Sequence, residues 1–277
     1  MRIFLTGGTG FIGSHFLARM SGTRHQITAV RRPTSSAPAR AYPGVTWLEK
    51  PLDAVDASDL AGHDALVHLA STGVSPKPAS WSELLYWNVT VSMQLVERAH
   101  EAGIHRFVVA GSSAEYGRSA NDYAFIPVDA PLRPVSPYAA SKAAACILAS
   151  TFARACHLEL AYLRIFSAYG EGQCEQNFWP ALRAAALAGE DFMMTSGEQV
   201  RDFVPVEDVA DAIATAVERR DLVKGTPKFV NVGSGLPVSM REFAQRCWTE
   251  WNAQGKLILG ALPYRPNEPM RFVPAID

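Results

Sequence analysis

Two titratable side chains stand four residues apart in SPYAASKAAAC (136–146), the phenol of Tyr138 and the amine of Lys142. Ser136 suits a helix N-cap, Pro137 suits the first helical position, and the alanine-rich run that follows favours propagation. On such a helix the two residues share a face, with Cβ atoms roughly 5–6 Å apart. In the plain reading they are a surface tyrosine and a solvated lysine; in the sharper one they are a unit for proton chemistry. The stretch alone leaves both open.

A second constellation lies at the other end of the chain. TGGTGFIG (6–13) places Gly7, Gly10 and Gly13 between an apolar strand, RIFLT (2–6), and a helical segment, 11–20. Glycines there permit a tight turn, close backbone approach to a pyrophosphate, and close helix–strand packing. The amides opening the helix, from Phe11, Ile12 and Gly13, together with its positive end, suit phosphate anions. The strand–turn–helix context predicts a dinucleotide site. An NAD site normally ends its second strand with Asp or Glu, whereas here QITAV (26–30) runs into Arg31 and Arg32. Paired guanidinium donors suit a 2′-phosphate, so NADP(H) is expected, with NAD(H) as the alternative.

The elements that must position these groups alternate. Short apolar strands are predicted at 2–6, 26–30, 45–48, 65–69, 106–110 and 158–166, with helices at 11–20, 81–103 and 136–157. That alternation implies right-handed βαβ units and a parallel sheet covered on both faces. Beyond about residue 167 the pattern loosens, with helices predicted at 177–189, 206–220 and 239–252 and a strand at 229–232. The expected division is a dinucleotide-binding domain, 1–166, and a smaller mixed α/β lobe, 167–277, some of whose segments return to the first domain.

Composition narrows the function. The 277 residues are 48% hydrophobic and 19% charged, with net charge −1, which suits a globular protein and shows no basic footprint for nucleic acid. No stretch approaches ~18 continuous apolar residues, so no membrane span is expected. The N-terminus shows no signal peptide, and a cytoplasmic location follows by default. Cys146, Cys156, Cys174 and Cys247 lack metal-ligand spacing, and buried free thiols are expected, with no metal.

Three further segments, GSSAEYG (111–117), RIFSAYG (164–170) and VRDFVPVEDVADA (200–212), join TGGTGFIG and the Tyr138/Lys142 pair in order. Together they resemble the extended short-chain dehydrogenase/reductase family, in its nucleotide-sugar epimerase, dehydratase and reductase branch. The resemblance implies a Rossmann-type doubly wound parallel sheet with a smaller substrate-binding lobe. It makes Tyr138 the proton-transfer residue, Lys142 the residue that binds the nicotinamide ribose and acidifies the phenol, and Ser112 the donor to the substrate oxygen. Bringing a phenol from ~10 to ~7 needs about 4 kcal/mol, and a nearby ammonium acts in that direction.

The same resemblance lines the cofactor channel with Leu69, Ala70 and Ser71 and places Asn88 in support of the active site; His68 reads as a satisfied core-edge histidine. Ser112, Ser113, Asn177, Arg201 and Arg265 match positions that contact the sugar nucleotide, Phe178 beside them. Ser167 replaces a usual asparagine, and Pro51 stands near where an adenine-contacting aspartate is usual, with Asp53 as the candidate substitute. A homodimer through helices 81–103 and 136–157 is implied. A final helix beyond Asp277 is also expected from relatives.

Dehydratases of the branch carry an acid pair directly after the catalytic Ser/Thr. Here Ser113 and Ala114 stand there, and Glu115, one residue later, points to the opposite face of an extended segment. The arginine pair then favours NADPH-dependent reduction of the C4 ketone of a nucleotide-linked 4-keto-deoxyhexose. The alternative is an NAD-dependent nucleotide-sugar 4-epimerase.

Overall fold

The computed structural model of the protein describes residues 1–35, 41–74, 76, 78–265 and 268–276. Six strands, β1 (Arg2–Thr6), β2 (Gln26–Arg31), β3 (Val45–Glu49), β4 (Ala65–His68), β5 (Arg106–Ser112) and β6 (Glu159–Ile165), combine with Lys228–Val232 into a seven-stranded sheet. Every pairing in it is parallel. The spatial order is Lys228–Val232, β6, β5, β4, β1, β2, β3, so the chain reverses direction across the sheet beside β1. Crevices at such a switch point, at the carboxyl ends of the strands, are where ligands bind in open α/β sheets.

Alternating side chains build two separate cores, as a strand period of two requires. Ile3, Leu5, Val108 and Leu163 pack with Phe16 and Leu17 of α1 (Phe11–Met20) and with Val209 and Ile213 further along the chain. Phe4, Leu66, Phe107, Val109 and Tyr162 face the other way, onto Leu60 of α2 (Ala57–Leu60), Leu95 and, from the 136–157 region, Cys146 and Ala149.

The predicted helix over 81–103 is not uniform. It comprises α3 (Trp81–Leu84), a π-helical segment, Leu85–Val91, and α4 (Ser92–Glu101). In the wider turn Ser92 donates its hydroxyl to the Trp87 carbonyl at 3.0 Å, and Asn88 and Ser92 are both buried. Single π turns often mark functional sites. The predicted helix over 136–157 is α5 (Pro137–Ala155), capped by Ser136, whose hydroxyl accepts from the Ala139 amide at 3.2 Å.

The smaller lobe is made of short mixed sheets with α6 (Phe178–Ala188) and, after α7 (Val206–Glu218), α8 (Met240–Glu250). Its core holds Leu182, Met194, Phe243 and Cys247, with Phe203 stacked on Phe243 at 3.8 Å between ring centroids. Full burial of a side chain such as Phe243 contributes roughly 1.5–3 kcal/mol. α7 packs on the large sheet's core, and Lys228–Val232 pairs with β6, so both segments belong spatially to the first lobe. Cys146 and Cys247 are buried free thiols, while Cys156 and Cys174 are half-buried. Among the described residues no helix is long and apolar enough to cross a membrane.

Candidate active site

The carboxyl ends of β1, β4 and β5 bring the distant motifs to one edge. Thr6 pairs in register with His68, and His68 with Val109, so the glycine turn, Leu69–Ser71 and Ser112 emerge side by side. The turn is shaped for close approach. Gly7 has φ +78°, and a Cβ on it would lie 2.6 Å from the Ala70 nitrogen; one on Gly13 would lie 2.1 Å from the Gly7 oxygen. Gly10 is the N-cap of α1, no side chain caps that helix, and no acid occupies its first turn. The opening amides of Phe11, Ile12 and Gly13 are thus suited to an anion, and the cradle fits a dinucleotide pyrophosphate.

Tyr138 sits in the first turn of α5, and its phenol lies near the hydroxyls of Ser112 and Ser71. Ser71 gives its own proton to Asn88 Oδ1 at 3.2 Å. Ser112 Oγ accepts the Ala114 amide at 3.2 Å.

Burial pushes the phenol above its ordinary value, and the neighbouring hydroxyls of Ser112 and Ser71 oppose that rise. The acidification expected from Lys142 is not seen in the polypeptide by itself. The Lys142 ammonium donates instead to the Ala110 carbonyl at 2.6 Å, and burial pulls it below its ordinary value while Glu115 and Cys146 resist.

Asn88 is 3% exposed and ties three segments together. Its Oδ1 accepts the Thr72 amide at 2.8 Å, and its Nδ2 donates to the Thr72 carbonyl and to Ser141 Oγ, both at 3.0 Å. Ser141 in turn donates to the Tyr138 carbonyl at 2.8 Å. Asn88 is thus no exposed helix residue; it holds the Ser71 loop against the helix that carries Tyr138. Ser141 escaped the sequence reading, although its spacing of three from Tyr138 was a usable signal.

His68 is the satisfied histidine expected. Its ring nitrogens meet Thr6 Oγ1 at 2.6 Å and Ser92 Oγ at 2.9 Å, and burial, reinforced by Lys142, holds it neutral with a pKa of about 3. Glu115, fully buried, is committed elsewhere. It accepts the Ser112 amide at 2.8 Å, the Tyr162 hydroxyl at 2.9 Å and Arg164 Nε at 2.9 Å. The Ser112-x-x-Glu115 spacing was itself legible as a capping box, which the structure contains. Asp202, left without a role by the motifs, accepts the amides of Ser234 and Gly235 and so anchors the loop after Lys228–Val232.

The other expected substrate residues lie apart from the tyrosine cluster in their contacts. Arg201 pairs with Glu268 at 2.8 Å, and the Glu268 amide donates to the Arg265 carbonyl, so Glu268 links the Arg201 side chain to the Arg265 segment. Arg265 is exposed. Asn177 is the N-cap of α6 without a side-chain cap bond, and Ser113 lies in the short turn after Ser112.

A glycine cradle near a half-buried tyrosine and serine and a buried lysine, on a doubly wound sheet, defines a dinucleotide-dependent enzyme of the Rossmann class. A profile of the NAD dependent epimerase/dehydratase family matches residues 3–233, and the chain belongs to that family. The NAD-dependent NDP-hexosamine 5,6-dehydratase TunA, involved in tunicamycin biosynthesis, is 30% identical with a TM-score of 0.83, over 99% of this chain and 88% of that one. MoeE5, solved with UDP-glucuronic acid and NAD, is 29% identical with a TM-score of 0.87, over 100% and 90%. The UDP-glucose 4-epimerase of Azospirillum brasilense is 28% identical over 100% of this chain and 84% of its own length.

These relatives overturn the expected preference for NADP(H). The solved complex contains NAD, and TunA is NAD-dependent. The local reason is visible at the end of β2. Arg31 does not stand free for a phosphate: its Nη2 is paired with Glu49, and its Nη1 donates to the Ser35 carbonyl. Arg32 is exposed just beyond the strand.

Proposed function

We propose that the protein is an NAD-dependent nucleotide-sugar 4-epimerase, rather than the NADPH-dependent ketoreductase favoured by its arginine pair. The observation that carries this reading is the Tyr138 phenol set near the Ser112 and Ser71 hydroxyls, with Ser71 following the Leu69–Ala70 backbone that Gly7 approaches. The relatives support redox chemistry on sugar nucleotides, and Glu115 separates epimerisation from dehydration. A dehydratase needs a carboxylate free to take a ring proton, and Glu115 is fully buried against Arg164.

When bound, NAD would take up and return hydride at C4 of the sugar. The chain's residues do the rest. Gly7, Gly10, Phe11, Ile12 and Gly13 would hold the pyrophosphate, with Leu69, Ala70 and Ser71 along the channel and Arg31 and Arg32 at the adenosine end. Lys142, fixed on the Ala110 carbonyl, would orient the nicotinamide ribose. Tyr138, ionised once the cationic nicotinamide of bound NAD lies beside it, would accept the C4 hydroxyl proton and later return it, and Ser112 would donate to the oxygen whose charge grows between those events. Ser113, Asn177, Arg201 and Arg265 would contact the substrate, the arginines gripping its diphosphate while the sugar presents its other face.

We further assign residues 1–166, together with α7 and Lys228–Val232, to cofactor binding and the rest of 167–277 to the substrate, and place the chain in the cytoplasm, where four free thiols persist. A homodimer would cover Trp81, Leu85, Ile147 and Leu148, all exposed on the two long helical segments.

Purified protein incubated with UDP- and dTDP-hexoses, without added cofactor, should form the C4 epimer by proton NMR. Loss of water from the substrate, or turnover only with added NADPH, would defeat the reading.

A further inference from the structure

The end of β2 poses a problem of charge. Arg31, Arg32 and Lys50 lie together at the carboxyl ends of β2 and β3, where the adenine ribose meets the second strand of a dinucleotide fold, yet the relative MoeE5 was solved with NAD. The structure resolves it through the neighbouring strand. Arg31 and Glu49 are in-register partners of parallel strands β2 and β3, and Glu49 Oε1 takes the Arg31 Nη2 donor. The arginine side chain is 16% exposed and the carboxylate 54%, so a ligand at this edge meets the carboxylate first. Lys50 is likewise committed, to Asp56 at 2.9 Å and Asp59 at 2.6 Å. Of the three cations, Arg32 is the one with no ion pair among the described residues.

We propose that Glu49 is the cofactor-discriminating residue, supplying from β3 the carboxylate that the end of β2 lacks. This rests on the NAD-dependence proposed above. A carboxylate accepts hydrogen bonds from the two ribose hydroxyls of NAD and repels a 2′-phosphate, which carries close to two negative charges. It also occupies the guanidinium donor that a 2′-phosphate would otherwise claim. The same strand end without Glu49 would present Arg31 and Arg32 together and would favour NADP.

The test is competition of NAD+ and NADP+ for protein loaded with NADH, read by displacement of NADH fluorescence, so that turnover plays no part. The wild type should bind NADP+ at least about tenfold more weakly than NAD+. Glu49→Gln should strengthen NADP+ binding about tenfold and weaken NAD+ binding, because the ribose hydroxyls lose their carboxylate acceptor. Adding Arg31→Ala to Glu49→Gln should remove the gain, because the freed guanidinium is what recruits the phosphate. Glu49 is half-exposed, so the variants should melt with the wild type, and Glu49→Ala carries the same expectation. An NADP+/NAD+ ratio in Glu49→Gln and Glu49→Ala within twofold of the wild type overturns the proposal. Failure of the epimerase reading would show separately, in the products formed from nucleotide sugars.

Discussion

Asn88 Nδ2 donates to Ser141 Oγ at 3.0 Å, across 53 residues of sequence, and thereby locks the π-helical turn to the helix that carries Tyr138. Because Ser141 also holds the Tyr138 carbonyl, the amide acts on the phenol's position without touching it. Asn88→Ala leaves the Thr72 amide without its acceptor in a buried site. We expect a loss of about 1–3 kcal/mol in urea unfolding and a lower kcat, with Asn88→Asp recovering the acceptor function only. Unchanged stability in Asn88→Ala would show that the bridge is incidental.

Tyr138→Phe removes the proton carrier while preserving the ring. Steady-state kinetics should show kcat reduced roughly 10²–10⁴-fold, with bound-nucleotide content unaltered. Ser71→Ala and Ser112→Ala each remove a hydroxyl that holds the phenol's titration down. Both should move the phenol's titration to higher pH, followed by carbon-labelled tyrosine NMR.

Glu115→Gln tests whether that acid serves structure or chemistry. Arg164 is 5% exposed, and removal of its partner's charge strands a buried cation, at a cost of about 3–5 kcal/mol. The denaturation midpoint should fall sharply. A variant of wild-type stability that had lost only activity would make Glu115 catalytic and reopen dehydration.

His68 makes stability depend on pH. Its native pKa of about 3 lies below the ordinary histidine value, so between roughly pH 6.5 and 3 the unfolded chain binds a proton that the native one does not. Its contribution is complete above about pH 6.5 and is lost as pH falls. Between pH 6.5 and 5 the loss is about 2 kcal/mol. His68→Asn should flatten that part of the unfolding free-energy profile, and parallel wild-type and variant profiles would contradict the assignment.

Association should depend on the exposed helical face. Ile147→Glu with Leu148→Glu is expected to convert a dimer to a monomer in light scattering, since both side chains point to solvent and neither belongs to the core. A wild-type mass of one chain would refute the homodimer.

Much of the architecture was legible from local pattern. Strand and helix periods, the glycine turn and the Ser136–Pro137 helix start depend on neighbours within a few residues, and the structure reproduces each to within a residue or three. The same locality set Tyr138 and Lys142 four residues apart on one helix. It could not reveal partners that become neighbours only when strands assemble. Arg31 looked free because Glu49 lies 18 residues away, on the next strand; Glu115 meets Arg164 across 49 residues, and Asn88 meets Ser141 across 53. Residue identities thus determined which groups exist and which elements carry them. Tertiary structure decided which charges are already neutralised, because counterions follow the order of strands in space and not along the chain.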